Sequence, residues 1–86
     1  MIEIKWHREA VKELKRLPND VTKATLNKIR GLAKNPNLGI KLKGYKLPFR
    51  RLRVGNVRVI YFHDVEKQEI KIYRIGFRGD IYKDMP

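Results

Sequence analysis

The stretch from Phe49 to Phe62 restricts what this chain can fold into more than any other. Apolar and charged residues alternate on both sides of Gly55-Asn56, which reads as two strands joined by a two-residue turn. That turn sets Val54 opposite Val57, Arg53 opposite Arg58, Leu52 opposite Val59 and Arg51 opposite Ile60. Paired residues share a face, so Leu52, Val54, Val57 and Val59 fall on one side and Arg51, Arg53 and Arg58 gather on the other. Like charges directly across a ladder repel, and guanidinium groups stay charged at any physiological pH. The cluster therefore calls for an anionic partner, and a phosphate backbone is the first expectation.

The whole chain leans the same way. Its 86 residues carry 21 Lys and Arg against 9 Asp and Glu, a formal net charge of +12. Such an excess points to a polyanion: nucleic acid, an anionic membrane surface or an acidic protein. A single domain over 1–86 is expected, with 42% hydrophobic residues to build one core and roughly 60% of its unfolded surface buried. There is no cysteine, which excludes disulfides and thiolate metal sites and suits a reducing cytosol. The opening Met1-Ile2-Glu3-Ile4-Lys5-Trp6 lacks the apolar run of a signal peptide, and no segment approaches a membrane span. A cytoplasmic protein with no membrane association is the expectation.

Ile2, Ile4 and Trp6 alternate with Glu3, Lys5 and His7 as in a half-buried strand. From His7 to Leu17 the period lengthens, with Ala10, Val11, Leu14 and Leu17 on one side of a helix that Pro18 ends. Asn19 or Asp20 is expected to cap a second helix, whose stripe runs Val21, Thr25, Ile29, Leu32 and Ala33 before Asn35-Pro36. Asn35 to Pro48, with Gly39, Gly44 and two prolines, reads as a connecting loop. After the hairpin, Asp64 to Gln68 form a polar turn, and Glu69 to Ile75 alternate as a last strand. The residues from Gly76 to Lys83 have no clear period.

The predicted fold class is α+β: an N-terminal strand, a helical hairpin, then a three-stranded antiparallel meander forming a curled sheet with the helices on one face. The first strand pairs at an edge or beside the last strand. The arginine face of the hairpin is expected to look outward into the concavity of the twisted sheet.

Over essentially its full length the chain resembles the RelE/ParE superfamily of bacterial and archaeal toxins. The resemblance is carried by the helix Ala10 to Pro18, the block Leu42-Lys43-Gly44, the core Arg51 to Tyr61 and the ending Ile75-Gly76-Phe77-Arg78-Gly79-Asp80-Ile81-Tyr82. It implies a RelE-like fold and a type II toxin neutralised by a cognate antitoxin. That antitoxin is expected to be acidic and RelB-like, with a heterotetramer as the assembly. In the RelE branch it implies ribosome-dependent cleavage of messenger RNA, with ribosome, mRNA and rRNA as further partners. Active-site residues of that branch carry over at Arg51, Arg53, Arg58, Arg78 and Tyr82. Two departures stand out: Arg51 and Arg53 replace the more usual lysines, and Phe77 stands where many relatives have histidine.

These residues suit cleavage by attack of a 2′-hydroxyl on its own phosphate without a metal or other cofactor. Arg58 and Arg78 would stabilise the phosphorane, and Tyr82 is the candidate base, a phenol whose ionised form surrounding guanidinium groups favour. Arg51, Arg53, Lys43 and Lys46 are the expected phosphate contacts. His7 and His63 read as capping or surface residues, and metal-ligand spacing is absent. A ParE-like DNA gyrase poison and a non-catalytic RNA-binding module are the alternatives, and only the endonuclease leaves codon-positioned cuts in a translated message.

Overall fold

The computed structural model describes residues 2–77, 79–83 and 85–86. Strand β1 (Glu3–Trp6) leads into helix α1 (Arg8–Lys15), and helix α2 (Asn19–Gly31) follows after a short corner. His7 caps α1, its Nδ1 accepting from the Glu9 amide at 3.2 Å. The expected cap of α2 is corrected. Pro18, not Asn19 or Asp20, holds the N-cap position with no side-chain hydrogen bond, and both polar residues lie inside the first turn. Asp20 there faces the positive end of the helix dipole.

The remaining elements are β2 (Ile40–Lys41), β3 (Arg50–Val54), β4 (Val57–Asp64), β5 (Glu69–Gly76) and a terminal 3-10 turn (Gly79–Tyr82). The five strands form one mixed sheet in the order β1-β5-β4-β3-β2, with β1 parallel to β5 and every other pair antiparallel. Strand β1 thus lies beside the final strand. The hairpin register is the expected one: Leu52 faces Val59, Arg53 faces Arg58 and Val54 faces Val57. Gly55 takes φ +59 at the first turn position while Asn56 keeps a negative φ, as a type II′ turn requires.

The segment read as a plain loop contains β2, whose two residues pair with Arg50 and Arg51 along the edge. Two residues carry no period, so hydrophobic alternation could not announce the strand. What fixes it is Tyr61. Its buried hydroxyl donates to the Pro36 carbonyl at 2.7 Å and accepts from the Gly39 amide at 2.8 Å, and Arg50 Nη1 donates to the Gly39 carbonyl at 2.8 Å. A Cβ at position 39 would stand 2.8 Å from both the Arg51 carbonyl oxygen and the Tyr61 ring, so glycine is required there by close approach.

Burial raises the Tyr61 phenol above its ordinary value of 10.0, against the opposing pull of the Gly39 amide and the Arg50 charge. The folded state therefore holds this proton longer than the unfolded chain does. The Tyr61 contribution to stability is complete below about pH 10 and is lost as pH rises through the elevated value. Tyr61→Phe is expected to lose about 1–3 kcal/mol at neutral pH, because the buried Gly39 amide and the part-buried Pro36 carbonyl lose their partner. Urea unfolding measures this, and the variant should show a shallower decline of stability above pH 10.

The main core lies between the helices and one sheet face. It joins Ala10, Leu17, Ile29 and Leu32 to Leu52, Val57, Val59, Tyr61, Ile70, Ile72 and Ile75. A bulge in β5 makes this possible: Ile60 faces Arg74 and Tyr61 faces Ile72, leaving Tyr73 without an opposite number. The extra residue lets Ile75 return to the helical side three positions after Ile72.

The other sheet face is not simply open, as expected, but carries a second small core. Phe49, Ile60 and Ile81 are buried there, with Leu42, Tyr45, Leu47, Phe62, Tyr73, Tyr82 and Met85 packed around them. The chain end reaches this face because Gly76 leaves room for it. A Cβ at position 76 would lie 2.6 Å from Ile81 Cγ2.

Candidate functional site

Arg51 and Arg53 on β3 and Arg58 on β4 stand on the sheet face opposite the helices, as alternation from the buried Leu52, Val57 and Val59 demands. Arg53 and Arg58 are directly paired across the ladder, and Arg51 is paired with the buried Ile60. Arg53 is exposed, whereas Arg51 and Arg58 are half-buried. The Nε atoms of Arg51 and Arg58 are closed off from solvent and have no hydrogen-bond partner among the described residues. Among those residues the ion pairs are Lys5 with Glu3, Lys12 with Glu9 and Arg74 with Glu13, and none of them includes the three arginines. Three guanidinium groups on one face, without an ion pair among the described residues, have the chemistry to receive an oxyanion, and the planar fork of each suits phosphate.

Tyr82 reaches the same face by a different route. The terminal 3-10 turn lays Ile81 into the second core, 4% exposed, and Tyr82 packs against this cluster, which includes Ile60, the register partner of Arg51. The Tyr82 hydroxyl, like the two Nε atoms, is buried without a partner among the described residues. Lys43 and Lys46 are exposed on the loop that covers the second core, where Leu42, Tyr45 and Leu47 turn inward between them. The Lys46 amide donates to the Pro86 carbonyl at 3.1 Å and ties this loop to the chain end. Arg78 lies outside the described residues.

One supporting element carried no sequence signal. The Glu13 carboxylate of α1 accepts from Arg74 Nε through both oxygens at 3.1 Å and from Nη2 at 2.9 Å. Its Oε1 also accepts from the Ile75 amide at 2.9 Å, closing the edge of β5 beyond the reach of β1. Arg74 Nη1 lies 3.4 Å from the Lys83 carbonyl, so the same guanidinium links helix, strand and tail. The partners are 61 residues apart, and no local pattern relates them.

Among the described residues no group of three or more His, Cys, Asp or Glu is gathered as a metal ion would need. No helix among them is long and apolar enough to cross a membrane.

The family described as "ParE toxin of type II toxin-antitoxin system, parDE" matches residues 4–82. The chain belongs to this family, within the RelE/ParE superfamily of type II toxins. No curated protein sequence is significantly similar. Among solved structures, the chain is similar to the archaeal RelE-RelB complex of Pyrococcus horikoshii OT3, with 31% identity, a TM-score of 0.76 and coverage of 91% of this chain and 96% of that one. It is also similar to the toxin-antitoxin complex RelBE2 of Mycobacterium tuberculosis, at 25% identity and TM-score 0.79, covering 90% and 98%. The RelB-RelE complex of Methanococcus jannaschii aligns at 26% identity and TM-score 0.70, covering 95% and 99%.

Proposed function

We propose that this toxin is an endoribonuclease that cleaves messenger RNA on the ribosome. The observation that carries the reading is the face on which Arg51, Arg53 and Arg58 stand without acidic partners among the described residues, where the Arg51 and Arg58 Nε atoms and the Tyr82 hydroxyl are buried and unpaired among those residues. A module that merely bound RNA would be served by exposed lysines. Polar atoms held partly out of water, at a standing energetic cost, are what a charge-stabilising site contains.

In the reaction, the 2′-oxygen of one nucleotide attacks the adjacent phosphorus while the bond from phosphorus to the 5′-oxygen breaks. Tyr82 is the base for the 2′-hydroxyl proton, a role that requires substrate to draw its oxygen out of the second core. Arg51 and Arg58 meet the equatorial oxygens of the phosphorane, and exposed Arg53 with Lys43 and Lys46 holds flanking phosphates. Guanidinium groups at 51 and 53 stabilise charge but do not release protons, so the leaving 5′-oxygen takes its proton from water. The products are a 2′,3′-cyclic phosphate and a 5′-hydroxyl. With neither a histidine nor a carboxylate pair at the site among the described residues, activity depends on substrate orientation, which the ribosome supplies.

The antitoxin partner follows from the same reading. Three similar structures are RelE-RelB or RelBE2 complexes, and a +12 toxin fits an acidic antitoxin. Toeprinting of a translated message tests the function. Wild-type protein is expected to produce codon-positioned cuts, and Tyr82→Phe to bind programmed ribosomes normally while cutting far more slowly. A second reading, poisoning of DNA gyrase, is favoured by the ParE description of the matching family. Uncut message together with gyrase-dependent DNA breaks would establish that reading instead.

A further inference from the structure

A line of rings crosses the arginine-bearing face of the sheet. Phe49 meets Tyr45 edge-on at 5.8 Å, Phe62 edge-on at 5.5 Å and Tyr73 at 5.1 Å, and Tyr73 in turn meets His7 at 4.7 Å with an interplanar angle of 33°. Where the line reaches β1, it floors a cavity of about 440 Å³ lined by Leu47, Phe62, Tyr73 and His7, with Lys5, Arg8 and Lys71 among its walls. That volume falls within the ~300–1,000 Å³ of small-ligand pockets.

The cations are placed at some expense. Lys5 and Lys71 are register partners in the parallel β1–β5 pair, on the face opposite the buried Ile70 and Ile72. Lys5 is drawn to Glu3 at 3.1 Å, which leaves half-buried Lys71 and exposed Arg8 as the charges without an ion pair among the described residues. The cavity and the arginine site share one sheet face, about 13 Å apart along β4 from Arg58 to Phe62 at ~3.3 Å per residue. Aromatic surface beside unpaired cations is the chemistry that takes an unpaired nucleobase and its phosphate.

We infer that this cavity is a subsite for one unstacked base of the RNA strand, a few nucleotides from the cleaved bond. The base lies against Tyr73 and Phe62, and Lys71 and Arg8 hold the attached phosphate. This rests on the ribonuclease reading and extends it to how the substrate is gripped. Tyr73 and Lys71 are binding groups here and take no part in the bond cleavage.

The test uses a 2′-O-methyl hexaribonucleotide, which cannot be cut, followed by fluorescence anisotropy over a salt series. Tyr73→Leu is expected to weaken binding about tenfold, from the ~1–3 kcal/mol that stacking of a base contributes. Lys71→Ala, at a half-buried position outside both cores, is expected to weaken binding and reduce the salt slope by about one phosphate. An RNA lacking one base should show the tenfold deficit on wild-type protein and no added deficit on Tyr73→Leu. Wild-type protein that binds no hexanucleotide would overturn the subsite, and a ribosome-bound message left uncut would overturn the ribonuclease reading with it. RNA binding that is sensitive to Arg53→Ala, yet unchanged by both Tyr73→Leu and Lys71→Ala, would overturn the subsite alone. Equal deficits with blunt duplex DNA, whose bases cannot enter a cavity, would also overturn it and leave surface charge as the cause.

Discussion

Replacing Glu13 with alanine is expected to lower the stability of this toxin by about 3–5 kcal/mol, an unusually large effect for a residue with no place in either apolar core. The Glu13 and Arg74 side chains are only 14% and 21% exposed. Their pairing is side-on, with the carboxylate gripping Nε and Nη2, and the same carboxylate accepts the Ile75 amide at the open edge of β5. Alanine removes an anion that compensates a mostly buried cation and strips a strand amide of its acceptor in one step. Glu13→Gln keeps an acceptor for Ile75 but not the charge, so it should fall between wild type and Glu13→Ala. Urea midpoints at constant slope measure both, and a loss under about 1 kcal/mol for Glu13→Ala would show that the pair behaves as an ordinary surface bridge. Because Arg74 also reaches the Lys83 carbonyl, the tail that carries Tyr82 should loosen, and cleavage should fall even where the domain remains folded.

That contact marks where reading the chain by its residues stops. The hairpin was legible down to its register because period-two alternation runs unbroken through Leu52, Val54, Val57 and Val59, and Gly55-Asn56 permits one short turn. The helix pair was legible for the same reason at period 3.6. Strand β2 was not, since its pairing is set by Tyr61 reaching back to Pro36 and Gly39 across more than twenty residues. Glu69 to Ile75 read as one alternating strand, and the break at Tyr73 was not legible because it is set by the register with the partner strand. In the site, alternation alone brought Arg51, Arg53 and Arg58 to one face. The second core beside them could not be foreseen from it, because Ile81 gets there only through the close approach at Gly76.

Arg58→Ala is expected to slow cleavage of ribosome-bound message by about 10²–10³-fold while leaving association within a few-fold of wild type. Arg58 lies on β4, paired with β3 on one side and β5 on the other, and is half-buried, with its Nε shielded and without a partner among the described residues. A charge held in that setting interacts strongly with a phosphorane and adds little to the encounter with a hydrated strand. Exposed Arg53 should behave oppositely, with Arg53→Ala weakening association and flattening its salt dependence more than it slows the chemical step. Stability separates a catalytic Arg58 from a structural one. Arg53 and Arg58 face each other across the ladder with no ion pair to a carboxylate among the described residues, so removing Arg58 should relieve repulsion and raise stability by about 0.2–1 kcal/mol. Single-turnover cleavage and urea unfolding on the same preparation read both quantities. A slower variant that is also less stable would mean that Arg58 serves the fold, and a more stable variant that cuts at the wild-type rate would remove it from the reaction.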